Sequence, residues 1–307
     1  MSVESPFVLA RATVEAVERV SPTFARITFG GPDLADIGTV GRTLDQRIKL
    51  LFPGSAERPA DFVNAGSDWY EAWLALPDEA RGSMRTYSIR DLQVDDAGTR
   101  LIIDFVLHLD PASSGPASLW ADAAQPGHEL LMVGPRRGRI DGGGIEYFPG
   151  DARSIMLVGD ETAAPAIARI LEDVDRDVRG VAFIEVPLDR DILHIDAPAG
   201  VELRWLPRAE RTRGTTLITE VLEYLGAPTE ASIGDMPTED LLWETPTYSG
   251  LGEEIVEADN RAERYFWIAG ESGVVTTLRR HLVKDLGIDR AQVAFMGYWR
   301  KGVAMRA

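Results

Sequence analysis

The residues best suited to chemistry in this sequence are Arg85-Thr86-Tyr87-Ser88. They fall in a stretch that alternates like a strand, so Arg85 and Tyr87 share one face while Ser88 points to the other face or to the strand edge. An arginine can bridge a pyrophosphate through two parallel hydrogen bonds. A tyrosine ring about 7 Å further along can lie against a flat heteroaromatic ring, and a hydroxyl beyond it can reach the polar edge of that ring. Taken alone, the four residues fit an ordinary amphipathic strand equally well.

A second candidate contact, Gly115-Pro116-Ala117-Ser118, opens a short predicted helix that contains Trp120. Small residues at a helix N-terminus let backbone N–H groups approach a phosphate. By itself this tetrapeptide is more often a plain turn and helix start.

Composition limits what else could carry chemistry. The chain of 307 residues has no cysteine, which excludes disulfides, iron–sulfur clusters and thiolate metal sites. The histidines show no metal-ligand spacing, so no metal site is predicted; they are His108, His128, His194 and His281. Redox chemistry would therefore need a bound organic cofactor. A formal net charge of −17 argues against nucleic acid as a partner.

The first half of the sequence alternates like antiparallel strands. Strands are predicted over 7–20, 23–29, 46–52, 85–92, 100–109 and 128–133, with short helices near 69–76 and 117–124. Six strands at this spacing favour a small antiparallel barrel over residues 1–149.

The second half, residues 150–307, has a different rhythm, in which continuous apolar runs alternate with helical stretches. Strands are predicted over 154–158, 180–186, 202–206 and 264–269, and helices over 162–174, 216–225 and 273–286. This pattern indicates a parallel α/β sheet of the nucleotide-binding kind. The acidic stretch 226–259 interrupts it and is interpreted as an insertion or long loop.

Three motifs fall at strand ends of this second half. Gly159-Asp160-Glu161-Thr162 forms a strand-to-helix turn, in which Thr162 can cap the helix. Asp160 and Glu161 would repel a pyrophosphate, so Thr162 and backbone N–H groups are expected to make any nucleotide contact. Ala269-Gly270-Glu271 ends one strand, and Tyr298-Trp299-Arg300-Lys301-Gly302 closes the last.

Read in order, Arg-x-Tyr-Ser, Gly-Pro-Ala-Ser, Gly-Asp-Glu-Thr-Ala-x-Pro-Ala, Trp-x-Ala-Gly-Glu and Tyr-Trp-Arg resemble the siderophore-interacting proteins. These are FAD-dependent ferric-siderophore reductases of the ferredoxin reductase superfamily, and the resemblance runs from about Ala10 to Gly302. It implies an N-terminal six-stranded antiparallel FAD-binding β-barrel over 1–149. It also implies a C-terminal parallel α/β NAD(P)H-binding domain over 150–307.

The implied reaction is hydride transfer from NADH or NADPH to FAD, followed by one-electron reduction of a ferric siderophore and release of Fe(II). Hydroxamate and catecholate oxygens hold Fe(III) far better than Fe(II), so reduction loosens the chelate. The expected protein is a cytoplasmic monomer that does not insert into the membrane, and its iron is found only within the siderophore. No catalytic side chain is nominated, because the flavin performs the chemistry.

Two alternatives remain open. One is a general NAD(P)H–flavin or ferredoxin-type oxidoreductase; such enzymes usually carry a cysteine where this chain has Ala269. The other is a non-catalytic siderophore-binding flavoprotein that keeps FAD for structure.

The resemblance also implies a set of site residues. The cofactor contacts are Arg85, Thr86, Tyr87, Ser88, His108, Gly115, Pro116, Ala117, Ser118, Trp120, Thr162, Ala269, Gly270, Glu271 and Trp299. Because the link between His108 and Gly115 is longer than in the family, a flavin contact by His108 stays open.

Arginines and lysines supply the remaining candidates. Arg208, Arg211 and Arg213 follow the third α/β strand and could pair with the 2′-phosphate of NADPH, although Glu210 is interleaved and charged loops are common. An anionic siderophore would need a positive pocket, for which the candidates are Arg47, Lys49, Arg136, Arg137, Arg139, Arg300 and Lys301. Residues 136–139 fit a solvated basic loop equally well. A neutral or cationic trishydroxamate would need no such pocket, and the net charge of −17 favours that kind.

Overall fold

The computed structural model describes residues 5–39, 41–54, 59–60, 62–96, 98–109, 114–138, 143–229, 242–245, 248–249 and 263–302. The chain divides into two compact units, and the break falls between residues 145 and 146. An antiparallel β unit comes first and an α/β unit second, the order that the sequence predicts.

The described part of the N-terminal unit contains seven strands rather than the six predicted. They are β1 (Phe7–Arg19), β2 (Phe24–Gly30), β3 (Arg47–Phe52), β4 (Ser83–Ser88), β5 (Asp91–Asp95), β6 (Gly98–Val106) and β7 (Glu129–Pro135). They form one antiparallel sheet in the order β4-β3-β7-β1-β2-β6-β5. Three short helices accompany it: α1 (Trp69–Leu74), α2 (Asp78–Arg81) and α3 (Pro116–Asp122).

The extra strand arises because the predicted strand 85–92 is two strands. The Ile89 N–H donates to the Gln46 carbonyl and the Arg90 N–H donates to the Ile102 carbonyl, both at 2.9 Å. The chain therefore stops pairing with β3 after Ser88 and begins pairing with β6 two residues later. This passage joins β4 and β5, which are the two edge strands of the sheet. Ile89 is fully buried, which preserves the alternation and makes the segment look like one strand.

Buried Asp104 on β6 supports this crossing. The Arg26 guanidinium donates two hydrogen bonds to its carboxylate at 2.7 and 2.8 Å, and Arg90 Nε lies 3.7 Å from it. A buried carboxylate is tolerated when charged donors surround it. The ion cluster therefore holds Arg90, two residues after Ser88, where the chain enters β5.

The C-terminal unit contains a mixed sheet rather than the purely parallel one predicted. Its strands are β8 (Ser154–Gly159), β9 (Arg179–Val186), β10 (Gly200–Pro207), β11 (Trp243–Thr245), β12 (Tyr248–Ser249), β13 (Arg264–Glu271) and β14 (Val293–Trp299), in the order β10-β9-β8-β13-β14-β11-β12. The first five in this order run parallel, while β11 pairs antiparallel with β14 and β12. The two antiparallel strands come from the acidic stretch 226–259, most of which lies outside the described residues.

Three helices pack on this sheet: α4 (Ala164–Asp173), α5 (Thr215–Tyr224) and α6 (Ser272–Arg279). The helix predicted over 273–286 changes after α6 into a π-helical segment, Arg280–Asp285. Because the five parallel strands point the same way, their carboxyl ends meet at one edge of the sheet. In open α/β sheets this edge is the usual ligand-binding position.

Candidate functional site

The register of β3 against β4 separates the residues of Arg85–Ser88 onto two faces. Arg85 lies opposite Leu50 and Tyr87 opposite Ile48, and both partners are buried. Thr86 and Ser88 lie on the other face, opposite Lys49 and Arg47 respectively. The strand thus presents an arginine and an aromatic ring on its apolar side, and hydroxyls with basic residues on its other side.

Arg85 is a half-buried cation with little to neutralise it. Its Nη1 donates to the Met84 carbonyl at 2.7 Å, and within the described ranges it makes no ion pair with a carboxylate. Burial lowers the pKa of Arg85, because the desolvated charge is costly. A phosphate bound here would supply the missing negative charge, so the residue fits an anionic cofactor group.

Tyr87 is packed as part of an aromatic cluster. Its ring centroid lies 4.7 Å from that of Phe105 and 6.4 Å from that of Phe52. Burial raises the pKa of Tyr87, with the nearby Arg85 charge acting in the opposite direction. The phenol therefore stays neutral at physiological pH and can serve as a hydrogen-bonding and packing group.

The basic residues on the opposite face form a small positive patch. The Lys49 ammonium donates to the Thr86 hydroxyl at 2.6 Å, across the strand pair. Desolvation, and then the charge of Arg47, lowers the pKa of Lys49. The structure therefore brings two of the predicted substrate-binding cations together with Thr86 and Ser88.

Helix α3 is fastened to the end of β6 by Ser118, which is buried. The His108 N–H donates to the Ser118 hydroxyl at 2.7 Å, and that hydroxyl lies 3.3 Å from the His108 carbonyl oxygen. Its hydrogen-bonding capacity is thus used within the protein. At the helix start, Gly115 is extended, and a Cβ atom there would meet open space. Pro116 is exposed and Ala117 buried, so of this tetrapeptide only the first two residues line open surface.

Trp120 belongs to the core of the N-terminal unit. Its ring stacks on Phe29 with centroids 6.2 Å apart and meets Phe52 edge-on at 5.3 Å. These contacts show that Trp120 packs against the core of this unit. The sequence pattern did not reveal this, because the partners are distant along the chain.

Arg136 lies beside the start of β1. Its Nε donates to the Ser5 carbonyl at 2.8 Å, and its backbone N–H donates to the Pro6 carbonyl. Neighbouring Arg137 donates to the Thr99 hydroxyl at 2.5 Å. Both guanidinium groups are therefore engaged by acceptors within the N-terminal unit. Residues 110–113, in the link after His108, and Arg139 lie outside the described residues.

In the C-terminal unit, Asp160 collects donors from three separate strand ends. Its Oδ1 accepts from the Thr162 N–H at 2.9 Å and from the Thr162 hydroxyl at 2.5 Å. Its Oδ2 accepts from the Glu271 N–H and from the Trp299 indole Nε1, both at 2.9 Å. Burial and then the Glu161 charge raise the pKa of Asp160, while its donors act against them. The carboxylate is thus an internal acceptor that ties β8, β13 and β14 together.

Glu161 is fully buried and binds two of the arginines that the sequence assigns to a nucleotide phosphate. Arg208 donates to it in a bidentate pair at 2.7 and 2.8 Å, and Arg213 Nη1 donates at 2.5 Å. Burial alone would raise the pKa of Glu161, but the Arg208 hydrogen bonds and the two arginine charges outweigh it and lower that pKa. The expected repulsion of a pyrophosphate by Asp160 and Glu161 is therefore largely offset by these internal partners. Arg211 is exposed.

Glu185, which the sequence analysis did not single out, completes this cluster. It is fully buried near the end of β9, accepts from the Gly214 N–H at 3.0 Å, and lies 3.6 Å from Arg208. Burial raises its pKa, with Gly214 and Arg208 opposing and the neighbouring carboxylates adding to the increase. The available signal was a glutamate inside an otherwise apolar strand.

The end of β13 is shaped by close approach to Asp160. Gly270 has φ +139°, and a Cβ atom there would lie 2.8 Å from the Asp160 carboxyl carbon. The Glu271 side chain accepts from the Val274 N–H, capping α6, and from the Lys301 N–H at 3.2 Å. Ala269 is buried beneath this turn, while Lys301 is exposed. The Trp299 indole N–H and the Lys301 backbone N–H are thus both bound by carboxylates at neighbouring strand ends, Asp160 and Glu271 respectively.

Family models match both units. Residues 13–139 match the siderophore-interacting FAD-binding domain, and residues 152–302 match the siderophore-interacting protein model. The chain belongs to the siderophore-interacting protein family. As a member of this family it shares 30% identity with an uncharacterised Mycobacterium tuberculosis protein, over 94% of this chain and 89% of the relative.

Three further proteins are similar to this chain in sequence or fold. The NADPH-dependent ferric-chelate reductase of Escherichia coli is 28% identical over 94% of this chain and 91% of its own length. The crystal structure of a siderophore utilization protein from T. fusca superimposes with a TM-score of 0.66 at 28% identity, covering 98% of this chain and 96% of that one. A ferredoxin NADP+ reductase from Neisseria gonorrhoeae shares the fold at 15% identity and a TM-score of 0.55, over 96% of this chain and all of that one.

Two further observations concern the described residues as a set. None of their helices combines the length and apolar character needed to span a bilayer. Nor do they contain a group of three or more His, Asp or Glu side chains placed to hold a metal ion.

Proposed function

We propose that this siderophore-interacting protein is an FAD-dependent ferric-siderophore reductase that takes its electrons from NAD(P)H. The observation that carries the proposal is the match of both family models to one chain, the first over the unit that holds Arg85–Ser88. The E. coli relative, whose name gives it an NADPH-dependent ferric-chelate reductase activity, supports the same reaction.

The residues of the N-terminal unit fit an FAD. Arg85 offers a half-buried guanidinium to the pyrophosphate, and Tyr87, Thr86 and Ser88 lie along the same strand. At the start of α3, the backbone of Gly115 and Pro116 is open to a ligand. The rest of this region packs against or hydrogen-bonds to the protein interior: Ala117, Ser118, Trp120 and His108. When bound, FAD accepts a hydride from NAD(P)H and passes single electrons to Fe(III) in the siderophore.

The C-terminal unit would hold the dinucleotide at the carboxyl edge of its parallel strands. Thr162 and the segment Ala269–Glu271 lie at this edge, and Trp299 closes the neighbouring strand. Either NADH or NADPH fits the proposal.

The ferric siderophore is proposed to bind near basic side chains. Arg47 and Lys49 lie on the same face of the β3–β4 pair as Ser88. Arg300 and Lys301 follow β14, the last strand of the C-terminal unit. Arg136 is the weakest member of this set, because its Nε is bound to the Ser5 carbonyl. Since NAD(P)H is an intracellular reductant, we place the reaction in the cytoplasm, and because both units lie in one chain we propose that a monomer suffices.

Anaerobic mixing of the FAD-loaded protein with NADH or NADPH tests the reaction. The yellow flavin should bleach, and later addition of ferric catecholates or hydroxamates with an Fe(II) trap should restore the colour. Each NAD(P)H should yield two trapped Fe(II), because a hydride carries two electrons. Bleaching that only other acceptors reverse would indicate a general flavin oxidoreductase. Flavin that stays yellow would indicate a non-catalytic carrier, and failure to take up FAD would overturn the proposal.

A further inference from the structure

The three arginines after β10 differ sharply in their surroundings. Arg208 has a side chain only 9% exposed, is held by Glu161 through two hydrogen bonds, and also lies near Glu185. An arginine committed in this way would have to break a buried bidentate pair before binding anything else, which is costly. Arg208 is therefore part of the internal framework of the sheet edge.

Arg213 is held differently. Its side chain is 23% exposed, and a single nitrogen, Nη1, contacts Glu161. Within the part of the chain that the structure describes, its Nε and Nη2 make no hydrogen bond. Its guanidinium carbon lies 4.6 Å from the ring centroid of Trp299, whose indole N–H is fixed by Asp160. A stacked, half-satisfied guanidinium is preorganised to offer its remaining N–H groups to an anion.

Arg213 lies at the edge of the sheet where open α/β folds usually bind their ligands. Its contact Glu161 follows β8, its contact Trp299 ends β14, and Arg213 itself follows β10. The arginine therefore lies at the carboxyl edge of the sheet. The next residue, Gly214, begins the ten-residue helix α5, but its N–H is already taken by Glu185. The open donors at this point therefore belong to the arginine side chain.

We infer that Arg213 is the phosphate-binding residue of the C-terminal unit, with Trp299 as its platform and Glu161 as the anion with which a nucleotide phosphate competes. This inference rests on the proposed function, since it assumes that a dinucleotide binds at this edge. The shared chemistry is a phosphate oxygen, supplied by either the pyrophosphate or the 2′-phosphate of NADPH. Arg208 binds no ligand in this arrangement.

Calorimetric titration of the full-length, FAD-loaded protein with NAD+ and NADP+ tests the inference without turnover. Arg213→Gln should weaken dinucleotide binding about tenfold or more, as expected for loss of a charged hydrogen bond. Arg213→Lys, which keeps the charge but loses the planar stack, should recover only part of the affinity. Arg176→Gln is the matched control, because Arg176 is an exposed ion-pair residue that precedes the amino end of β9.

The two dinucleotides distinguish the phosphates. Weaker binding of NADP+ alone assigns Arg213 to the 2′-phosphate, and equal weakening of both assigns it to the pyrophosphate. A second readout is tryptophan fluorescence: binding should change the emission of the parent protein, and Trp299→Phe should remove most of that change. If Arg213→Gln binds both dinucleotides as the parent does, the inference is overturned and the proposed function stands. If the parent protein binds neither dinucleotide, and if neither NADH nor NADPH reduces its flavin, then the inference and the proposed function are both overturned.

Discussion

The indole N–H of Trp299 donates to Asp160 at 2.9 Å, joining two residues that are 139 positions apart in the chain. Asp160 follows the first strand of the C-terminal unit and Trp299 ends the last. The same carboxylate is 3% exposed and accepts from Glu271 and Thr162 as well. A single acidic residue in the strand-to-helix turn therefore positions the aromatic side chain at the end of β14.

Asp160→Asn should be milder than Asp160→Leu. The Thr162 hydroxyl can rotate to accept from an amide NH2, whereas the backbone N–H groups of Thr162 and Glu271 and the Trp299 indole N–H can only donate. An amide nitrogen placed on the Thr162 side therefore leaves only the Thr162 N–H without its acceptor. The asparagine should therefore turn its nitrogen toward Thr162 and keep its oxygen on Trp299. We expect a loss of about 1–2 kcal/mol in the free energy of unfolding for Asp160→Asn, and a larger loss for Asp160→Leu, which leaves these donors unpaired.

Urea unfolding measures both losses, and Thr162→Val provides the control. In the Asp160→Asn background this change removes the only hydroxyl that can accept from the new NH2. The double variant should then lose more stability than the sum of the two single variants. Additive losses, or equal losses for Asn and Leu at position 160, would contradict the proposed orientation of the amide.

Arg85→Gln should weaken FAD binding and leave the FAD-free protein at least as stable as the parent. The guanidinium is desolvated and, among the described residues, has no carboxylate partner, so removing it relieves a cost in the absence of the cofactor. We expect the Kd for FAD to rise about tenfold or more, measured by flavin fluorescence, while thermal unfolding follows the FAD-free form.

Arg90→Gln is the matched comparison for Arg85. Arg90 lies near buried Asp104, whose charge it helps to offset. This variant should therefore destabilise the FAD-free protein, the opposite of the result for Arg85→Gln. Similar destabilisation by both substitutions would show that Arg85 is a structural ion-pair residue instead.

Ser118→Ala should destabilise the N-terminal unit to the same extent with and without FAD. The hydroxyl accepts from the His108 N–H, and its removal leaves that donor without its acceptor. A loss of about 1–2 kcal/mol in the free energy of unfolding is expected for both forms. A loss seen only with FAD present would mean that the hydroxyl contacts the cofactor.

Glu161 should give the protein a stability that disappears in acid. Its pKa in the folded state is lowered, chiefly by Arg208 and Arg213 against the effect of burial, so the unfolded chain binds its proton more readily. The contribution is present above the unfolded pKa and is lost as pH falls through the lowered folded pKa. Asp160 and Glu185 act in the opposite direction, because their raised pKa values favour the protonated folded state at low pH.

Urea titrations between about pH 3 and pH 7 can isolate the Glu161 contribution by comparing the parent protein with Glu161→Gln. The difference in unfolding free energy should be largest near neutral pH and shrink as the pH falls below about 4.5. A difference that stays constant over this range would rule out a lowered pKa for Glu161.

Much of the fold follows from local sequence patterns. Alternation predicted the antiparallel strands, and the apolar run 154–158 predicted the first parallel strand with little error. The crossing after Ser88 could not be predicted, because Ile89 continues the alternation. The carbonyls that mark the crossing, Gln46 for the Ile89 N–H and Ile102 for the Arg90 N–H, are not adjacent in sequence. The short strand β11 was hidden within an acidic stretch, since its buried Glu244 pairs with Arg279 and Arg290, which lie well outside that stretch.

The candidate site was harder to predict for the same reason. The sequence indicated which residue types stand at the strand ends, including Asp160, Glu161 and Arg208. Their charges suggested repulsion or attraction toward a ligand. The structure shows instead that Glu161 binds Arg208, and that Asp160 accepts from donors at other strand ends. Which donors meet which acceptors depends on strand order in the sheet, and residue spacing along the chain carries no information about that order.

The two-residue passage from β4 to β5 also limits how this protein can vary in length. Ser88 is registered against β3 and Asp91 against β6, so one inserted residue between them would turn either Arg85–Ser88 or the whole of β5 onto its wrong face. Insertions and deletions in natural or engineered variants should therefore avoid this passage. For anyone grafting a new loop onto the N-terminal sheet, it is the connection whose length must be kept.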